Sequence, residues 1–141
     1  MESTEQLEVE LFSFGFKYGV PADVNIMLDV RFLPNPYWVE KLRPYTGLES
    51  EVAAYVLESD NGEKFIALLR PMINFLVAQN MAAGKKSLRI AVGCTGGRHR
   101  SVALVEKIVD SMGGFPGKLT VFHRDIDREA GSTLTPHNRG Y

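Results

Sequence analysis

Between Ser87 and Met112 the chain passes from a short apolar run, SLRIAV, through a glycine-bearing loop, GCTGGRH, into an amphipathic stretch, RSVALVEKIVDSM. A strand, a tight loop and a helix in that order, followed by a further strand pattern at 118–123 (KLTVFH), call for a parallel crossover, which is right-handed in nearly all known cases. Two more strand patterns precede it. Residues 7–14 place Leu7, Val9 and Leu11 on one face, and residues 24–33 form an apolar run interrupted by Asp29 and Arg31 and stopped by the segment PNP. Helical spacing predicts a helix over 48–59 with Val52, Tyr55 and Val56 inward. Asn61-Gly62 reads as a turn. A long helix follows over 63–83, with Phe65, Leu68, Leu69, Met72, Phe75 and Leu76 on its apolar positions and a kink or break at Pro71. The expected fold class is α/β, one domain with a mixed or mostly parallel sheet and flanking helices over residues 1–124. Residues 125–141 read as a polar, flexible tail.

Composition narrows the function. A chain of 141 residues is the size of one domain and can bury roughly 68% of its unfolded surface. The net charge of −1 excludes a whole-protein basic field of the kind that gathers nucleic acid. One cysteine excludes an internal disulfide and a multi-cysteine zinc site, and no metal or cofactor is expected. No uninterrupted apolar run reaches the ~18 residues of a membrane span. The acidic start, MESTEQLEVE, is unlike a signal peptide. The expectation is a cytoplasmic protein with no membrane partner.

The chemistry concentrates in the loop 93–101. In an open α/β sheet ligands bind beyond the carboxyl ends of the strands, where this loop falls. Gly96 and Gly97 permit backbone turns that aim several amides at one point, and the helix that follows adds its unpaired N–H groups and the positive end of its dipole. Arg98 and Arg100 bring full charges, His99 a ring donor, and Thr95 and Ser101 hydroxyls. No carboxylate occurs between Gly84 and Ser101, whereas Lys85, Lys86 and Arg89 do. All of this favours an oxyanion, most simply a phosphate. The Walker pattern GxxxxGK[ST] is absent from the chain, so ATP hydrolysis is not expected.

Five separated motifs carry a resemblance that spans nearly the whole chain: SFGFKYG at 13–19, DVRFLPNP at 29–36, LRPYTG at 42–47, GCTGGRHRSV at 93–102 and HR at 123–124. In this order they resemble the C-terminal domain of the bacterial RapZ (YvcJ-type) proteins. The resemblance implies a regulatory domain that binds an amino-sugar phosphate such as glucosamine-6-phosphate. It also implies RNA binding in an adaptor for an RNase, and homo-oligomers. The RapZ half that carries the Walker loops has no counterpart here. The dense Lys/Arg tail of RNA-binding members is replaced by HRDIDREAGSTL, whose Asp125, Asp127 and Glu129 weaken the RNA implication.

A second, local resemblance is the pattern CxxGxxRS from Cys94 to Ser101, which is similar to the loop of Cys-dependent phosphatases. It implies Cys94 as nucleophile, Arg100 as phosphate holder, Ser101 as an aid to sulfur departure and Asp29 as general acid. Gly93 departs from it, because that family usually has His there. The plainer reading of Cys94 is a small thiol buried at a strand end.

The remaining candidates have a structural and a functional reading each. Asp29 and Arg31 form an ion pair or contact the ligand's amine and hydroxyls. Lys17 is solvated or reaches the anion. Asn35 is a rigid turn between two prolines or a ligand contact. Arg43 pairs with a carboxylate or clamps phosphate. Thr46 caps the helix that follows. His123 ends the last strand on the loop's side of the sheet and could converge there with His99. Phe12, Phe14, Phe16, Phe65 and Phe75 are expected in the core.

Overall fold

The computed structural model describes residues 6–128. Strands β1 (Glu8–Gly15), β2 (Ile26–Asp29), β3 (Ser87–Cys94) and β4 (Lys118–His123) form one sheet in the order β2-β3-β1-β4. Every neighbouring pair is parallel, with Leu11 opposite Ile90 and Val121, and Leu28 opposite Val92. The α/β class and the single domain are thus present as a four-stranded parallel sheet with three helices: α1 (Ser50–Leu57), α2 (Asp60–Ala82) and α3 (Arg100–Ser111).

The two-residue side-chain period of a strand explains the two layers. Odd-numbered Val9 and Leu11 of β1 and even-numbered Leu88, Ile90 and Val92 of β3 share one face. They form the main core with Val56 of α1, Leu69, Ile73 and Val77 of α2, and Leu104 and Ile108 of α3. Each such side chain taken out of water contributes about 1.5–3 kcal/mol. The opposite face holds a smaller cluster of Phe12, Phe14 and Ala91, against which Phe16, Val24 and Phe122 pack. Gly93 is required beneath it: a Cβ there would lie 2.4 Å from Cζ of Phe14.

Several sequence expectations shift. The second strand is shorter than 24–33, because the chain turns at Arg31, whose amide bonds back to Asp29 Oδ1 at 3.0 Å. Asn61-Gly62 is the first turn of α2, not a separate turn. Ser59 caps that helix by accepting from the Gly62 amide at 3.0 Å, and Gly62 is needed because a Cβ would meet the Val56 carbonyl oxygen at 2.4 Å. Thr46 accepts from the Leu48 amide at 3.2 Å but does not cap α1, which starts at Ser50. Pro71 does not divide α2. It lies on the exposed side with Ala67, so the carbonyl it leaves without an N–H donor faces water. Tyr55 is exposed, while Val52 and Val56 are fully buried. Phe75, expected in the core, is 60% exposed and lies with Leu68 and Met72 on the outer side of α2. That helix is therefore apolar on two sides, and an 18-residue window of it, with a mean hydropathy of 1.3, is long and apolar enough by composition alone to cross a membrane.

The connection after β1 leads past β3 to β2, and the connection after β3 leads past β1 to β4. The crevice between the carboxyl ends of β1 and β3 is therefore the point where the chain departs in opposite directions, the position that parallel sheets use for ligands.

Candidate anion-binding site

Cys94 ends β3 and Arg100 begins α3, so the five residues between them form a tight bridge from sheet to helix. Gly97 adopts a φ of 77°, in the left-handed region where glycine is at home. Among the described residues, the amides from Gly96 to His99 donate to no backbone carbonyl outside the helices and strands. With the first-turn amides of α3 they make a row of donors at the positive end of a helix. Asn35, Tyr37, Cys94, Thr95, Gly96, Arg98, His99 and Arg100 line a small concavity. A wider groove between the three helices sets Glu58, Glu63, Glu106 and Asp110 against Arg70 and Lys107, without converging donors.

Arg100 is only 5% exposed. Its Nη1 donates to the Arg31 carbonyl at 2.7 Å, and its Nη2 lies 3.3 Å from Thr95 Oγ1. Its Nε has no hydrogen-bond partner among the described residues. Burial pulls its pKa below the usual arginine range, the direction of a cation whose lost hydration is incompletely replaced. An anion beside it would act in the opposite direction.

Arg98 and His99 are also buried, but they face the neighbouring loop. Arg98 Nη2 donates to the Pro44 carbonyl at 3.0 Å, and the Gly47 amide donates to the Arg98 carbonyl at 2.8 Å. His99 Nε2 lies 3.1 Å from the Arg43 carbonyl, which fixes the ring's proton on that nitrogen. Burial pushes the His99 pKa down to about 4, and the Arg98 and Arg100 charges act in the same direction. The ring is therefore neutral near pH 7 and its remaining nitrogen is a lone pair, not the phosphate donor expected from sequence. Both residues line the pocket while holding LRPYTG against it.

The depressed histidine has a measurable consequence. Unfolded His99 takes up a proton near pH 6.5, and the folded ring resists until about pH 4. Stability is unaffected by this group above pH 6.5 and falls as pH drops through that window, by up to roughly 3 kcal/mol at about 1.36 kcal/mol per unit. Urea unfolding of wild type and His99→Gln between pH 4 and 7 should give a shallower slope for the variant. Equal slopes would remove His99 as the cause.

Asp29 ends β2 and Arg31 follows in the turn after it; neither is among the residues that line the concavity. Arg31 Nε and Nη2 engage both carboxylate oxygens at 2.9 and 2.7 Å, and the guanidinium stacks 3.9 Å from the Phe16 ring centroid. The Arg31 hydrogen bond holds the Asp29 pKa below the usual carboxylate range. So paired, Asp29 is an acceptor and has no proton to give as a general acid. Cys94 lies on the pocket floor, 2% exposed, with its Sγ 3.2 Å from Ser101 Oγ.

The other candidates divide. The Lys17 amide donates to the Thr95 carbonyl at 3.1 Å, while its ammonium sits 5.4 Å from the Tyr18 ring. Asn35 lines the pocket and accepts from the Tyr37 amide at 3.1 Å. Arg43 Nε donates to the Tyr37 carbonyl at 2.6 Å and its guanidinium lies over the Tyr37 ring, so it braces the pocket wall. His123 does not converge with His99. Its Nδ1 is 2.8 Å from Ser13 Oγ and its Nε2 2.7 Å from Glu106 Oε2, in the seam between sheet and α3. Residues 125–128, read from sequence as the start of a tail, form a turn in which Asp125 is fully buried. Its carboxylate would have been hard to find, because its partners lie either beside it or 110 residues away. Residues 129–141 lie outside the described residues.

The fold and the pocket together define a parallel-sheet α/β domain with a concavity at the carboxyl end of a central strand. The chain belongs to the RapZ C-terminal domain family, whose profile it matches over residues 7–127. It is 44% identical over 124 residues to a nucleotide-binding protein of Clostridium botulinum strain 657, which covers 88% of this chain and 42% of that protein. It is 47% identical over 121 residues to a nucleotide-binding protein of Nitratidesulfovibrio vulgaris, covering 86% and 41%. To one of Salinispora arenicola it is 46% identical over 128 residues, covering 91% and 43%. The chain thus spans less than half the length of these relatives.

Proposed function

We propose that this protein is a binding module for a phosphorylated small molecule, an amino-sugar phosphate such as glucosamine-6-phosphate, acting as a sensor or regulatory domain. The observation that carries this reading is Arg100: a buried guanidinium with an unpartnered Nε, on a concavity lined by helix-entrance amides. Thr95 Oγ1 lies 3.3 Å from Arg100 Nη2, and Asp29, held by Arg31, is the carboxylate proposed to meet a ligand ammonium. Nucleotide binding is named for the longer relatives. This chain has no Walker loop, which supports a ligand other than a Walker-bound nucleotide here.

Calorimetry tests the reading directly. Glucosamine-6-phosphate should bind, inorganic phosphate should compete with it, and glucosamine should give no heat. Equal binding of the sugar with and without its phosphate would overturn the proposal.

One contact favours a second reading. The Ser101 hydroxyl on the Cys94 sulfur, beside Arg100, is an arrangement in which the sulfur could attack a bound phosphate ester. With Asp29 held by Arg31, only esters with good leaving groups would react. Turnover of an aryl phosphate that Cys94→Ser abolishes would support hydrolysis, and no turnover would leave the binding module.

A further inference from the structure

We propose that Asp125 is the positioning residue of the anion pocket: its buried carboxylate sets the Gly96-Gly97 backbone by fixing Gly15 directly against it. This rests on the reading of residues 94–100 as a phosphate site. Asp125 itself is fully buried and is not among the residues that line the pocket.

The chain of contacts is short. Asp125 Oδ2 accepts from the Gly15 amide at 2.7 Å. Gly15 ends β1 and meets the loop backbone to backbone. A Cβ on Gly15 would lie 2.5 Å from the Gly96 carbonyl carbon and 2.9 Å from the Gly97 nitrogen. In the other direction, a Cβ on Gly97 would lie 2.6 Å from the Gly15 nitrogen and 3.0 Å from the Asp125 Cβ. No side chain cushions this contact, so a displacement of Gly15 passes straight into the two residues that shape the pocket. Two residues on, the Lys17 amide grips the Thr95 carbonyl, which ties the same segment to the loop a second time.

A carboxylate is the group this position calls for, because everything facing it is a donor. Besides the Gly15 amide it receives Arg124 Nη2 at 2.8 Å and Arg128 Nε at 2.7 Å. Arg124 continues to the Gly19 carbonyl at 2.7 Å and so closes the 15–19 loop over the same node. An amide in place of the carboxylate could keep one oxygen for Gly15 but would turn its NH₂ toward guanidinium donors.

The test separates positioning from stability. Affinity for inorganic phosphate and for glucosamine-6-phosphate is measured by calorimetry well below the melting temperature, alongside urea unfolding. The ¹H–¹⁵N shifts of Gly96 and Gly97 are recorded without ligand. Arg128→Ala removes an ion pair from Asp125 but leaves the Gly15 contact. It should lower stability, keep affinity within about twofold and leave both glycine shifts in place. Asp125→Ala should lose at least tenfold in affinity and displace both shifts, and Asp125→Asn should recover part of the loss. Wild-type affinity and shifts in a folded Asp125→Ala protein would overturn the proposal, whatever its stability. Should the alanine variant not fold, the asparagine variant decides: a threefold or larger loss with displaced glycine shifts supports positioning, and wild-type values of both refute it. If the wild-type protein binds no phosphate at all, the site reading fails, while the glycine shifts still judge what Asp125 does.

Discussion

Arg100→Ala should weaken phosphate binding by about 1.5–3 kcal/mol, the scale of a charged hydrogen bond, which is roughly a 10- to 150-fold loss. The side chain is the less exposed of the two pocket arginines, and its buried Nε has no hydrogen-bond partner among the described residues. Its removal also strips the Arg31 and Leu33 carbonyls of their donor at 2.7 and 3.3 Å. Some loss of stability, on the order of 1–3 kcal/mol for buried acceptors left unpaired, should accompany the loss of affinity. Arg100→Lys is the informative companion. A lysine keeps the charge but cannot reach the two carbonyls and present a further N–H to the ligand, so it should restore less than half of the lost binding energy. Calorimetry and urea unfolding on the three proteins separate the two effects. An unchanged affinity in Arg100→Ala would take this residue out of the site.

The second large effect is expected at Gly97. Alanine there must adopt a φ of 77°, which costs an L-residue about 1–2 kcal/mol. Its Cβ would also press on main-chain atoms, the Gly15 nitrogen at 2.6 Å and the Phe14 carbonyl carbon at 2.9 Å, which cannot swing aside as a side-chain end could. Forced overpacking of this sort adds about 1–3 kcal/mol, for a total of about 2–5 kcal/mol. Gly84 provides the control. Its φ is 74°, but nothing lies within 4 Å of the added Cβ, so Gly84→Ala should cost only the backbone part. Equal denaturation midpoints for the two variants would show that the close approach of the loop to Gly15 has no energetic weight.

Much of this architecture was legible because it is written locally. The strand–glycine loop–helix at 87–112 announces itself through a change of period and a change of charge, and the structure places Cys94, Thr95, Gly96 and Arg100 around one concavity. Gly15 and Gly93 show the limit of the same method. Each reads as a loop or strand-end glycine, and only the fold reveals that one faces Gly96 and the other lies under Phe14. His123 misled for a related reason. Its place at a strand end was right, but the alternation along β4 turns its ring toward Ser13 and Glu106. Arg98 and His99 were identified as pocket residues by their neighbours in sequence. Their polar atoms are instead occupied by carbonyls more than 50 residues away, which no local pattern encodes. The outer side of α2 was read as core because Leu68, Met72 and Phe75 repeat at helical spacing, and spacing does not say which of two apolar sides meets the sheet.

The order of the strands has a consequence for how the chain comes into being. β1 lies between β3 and β4, so its first partner begins 79 residues downstream and its second 110. At roughly 5–20 residues per second of ribosomal synthesis, the strand that becomes the middle of the sheet waits about 4–16 seconds for any neighbour. Its apolar LEVELFSF stretch stays exposed or chaperoned during that time, and the pocket, which needs β1, β3 and the turn after β4 together, is completed only when the last of them has left the exit tunnel.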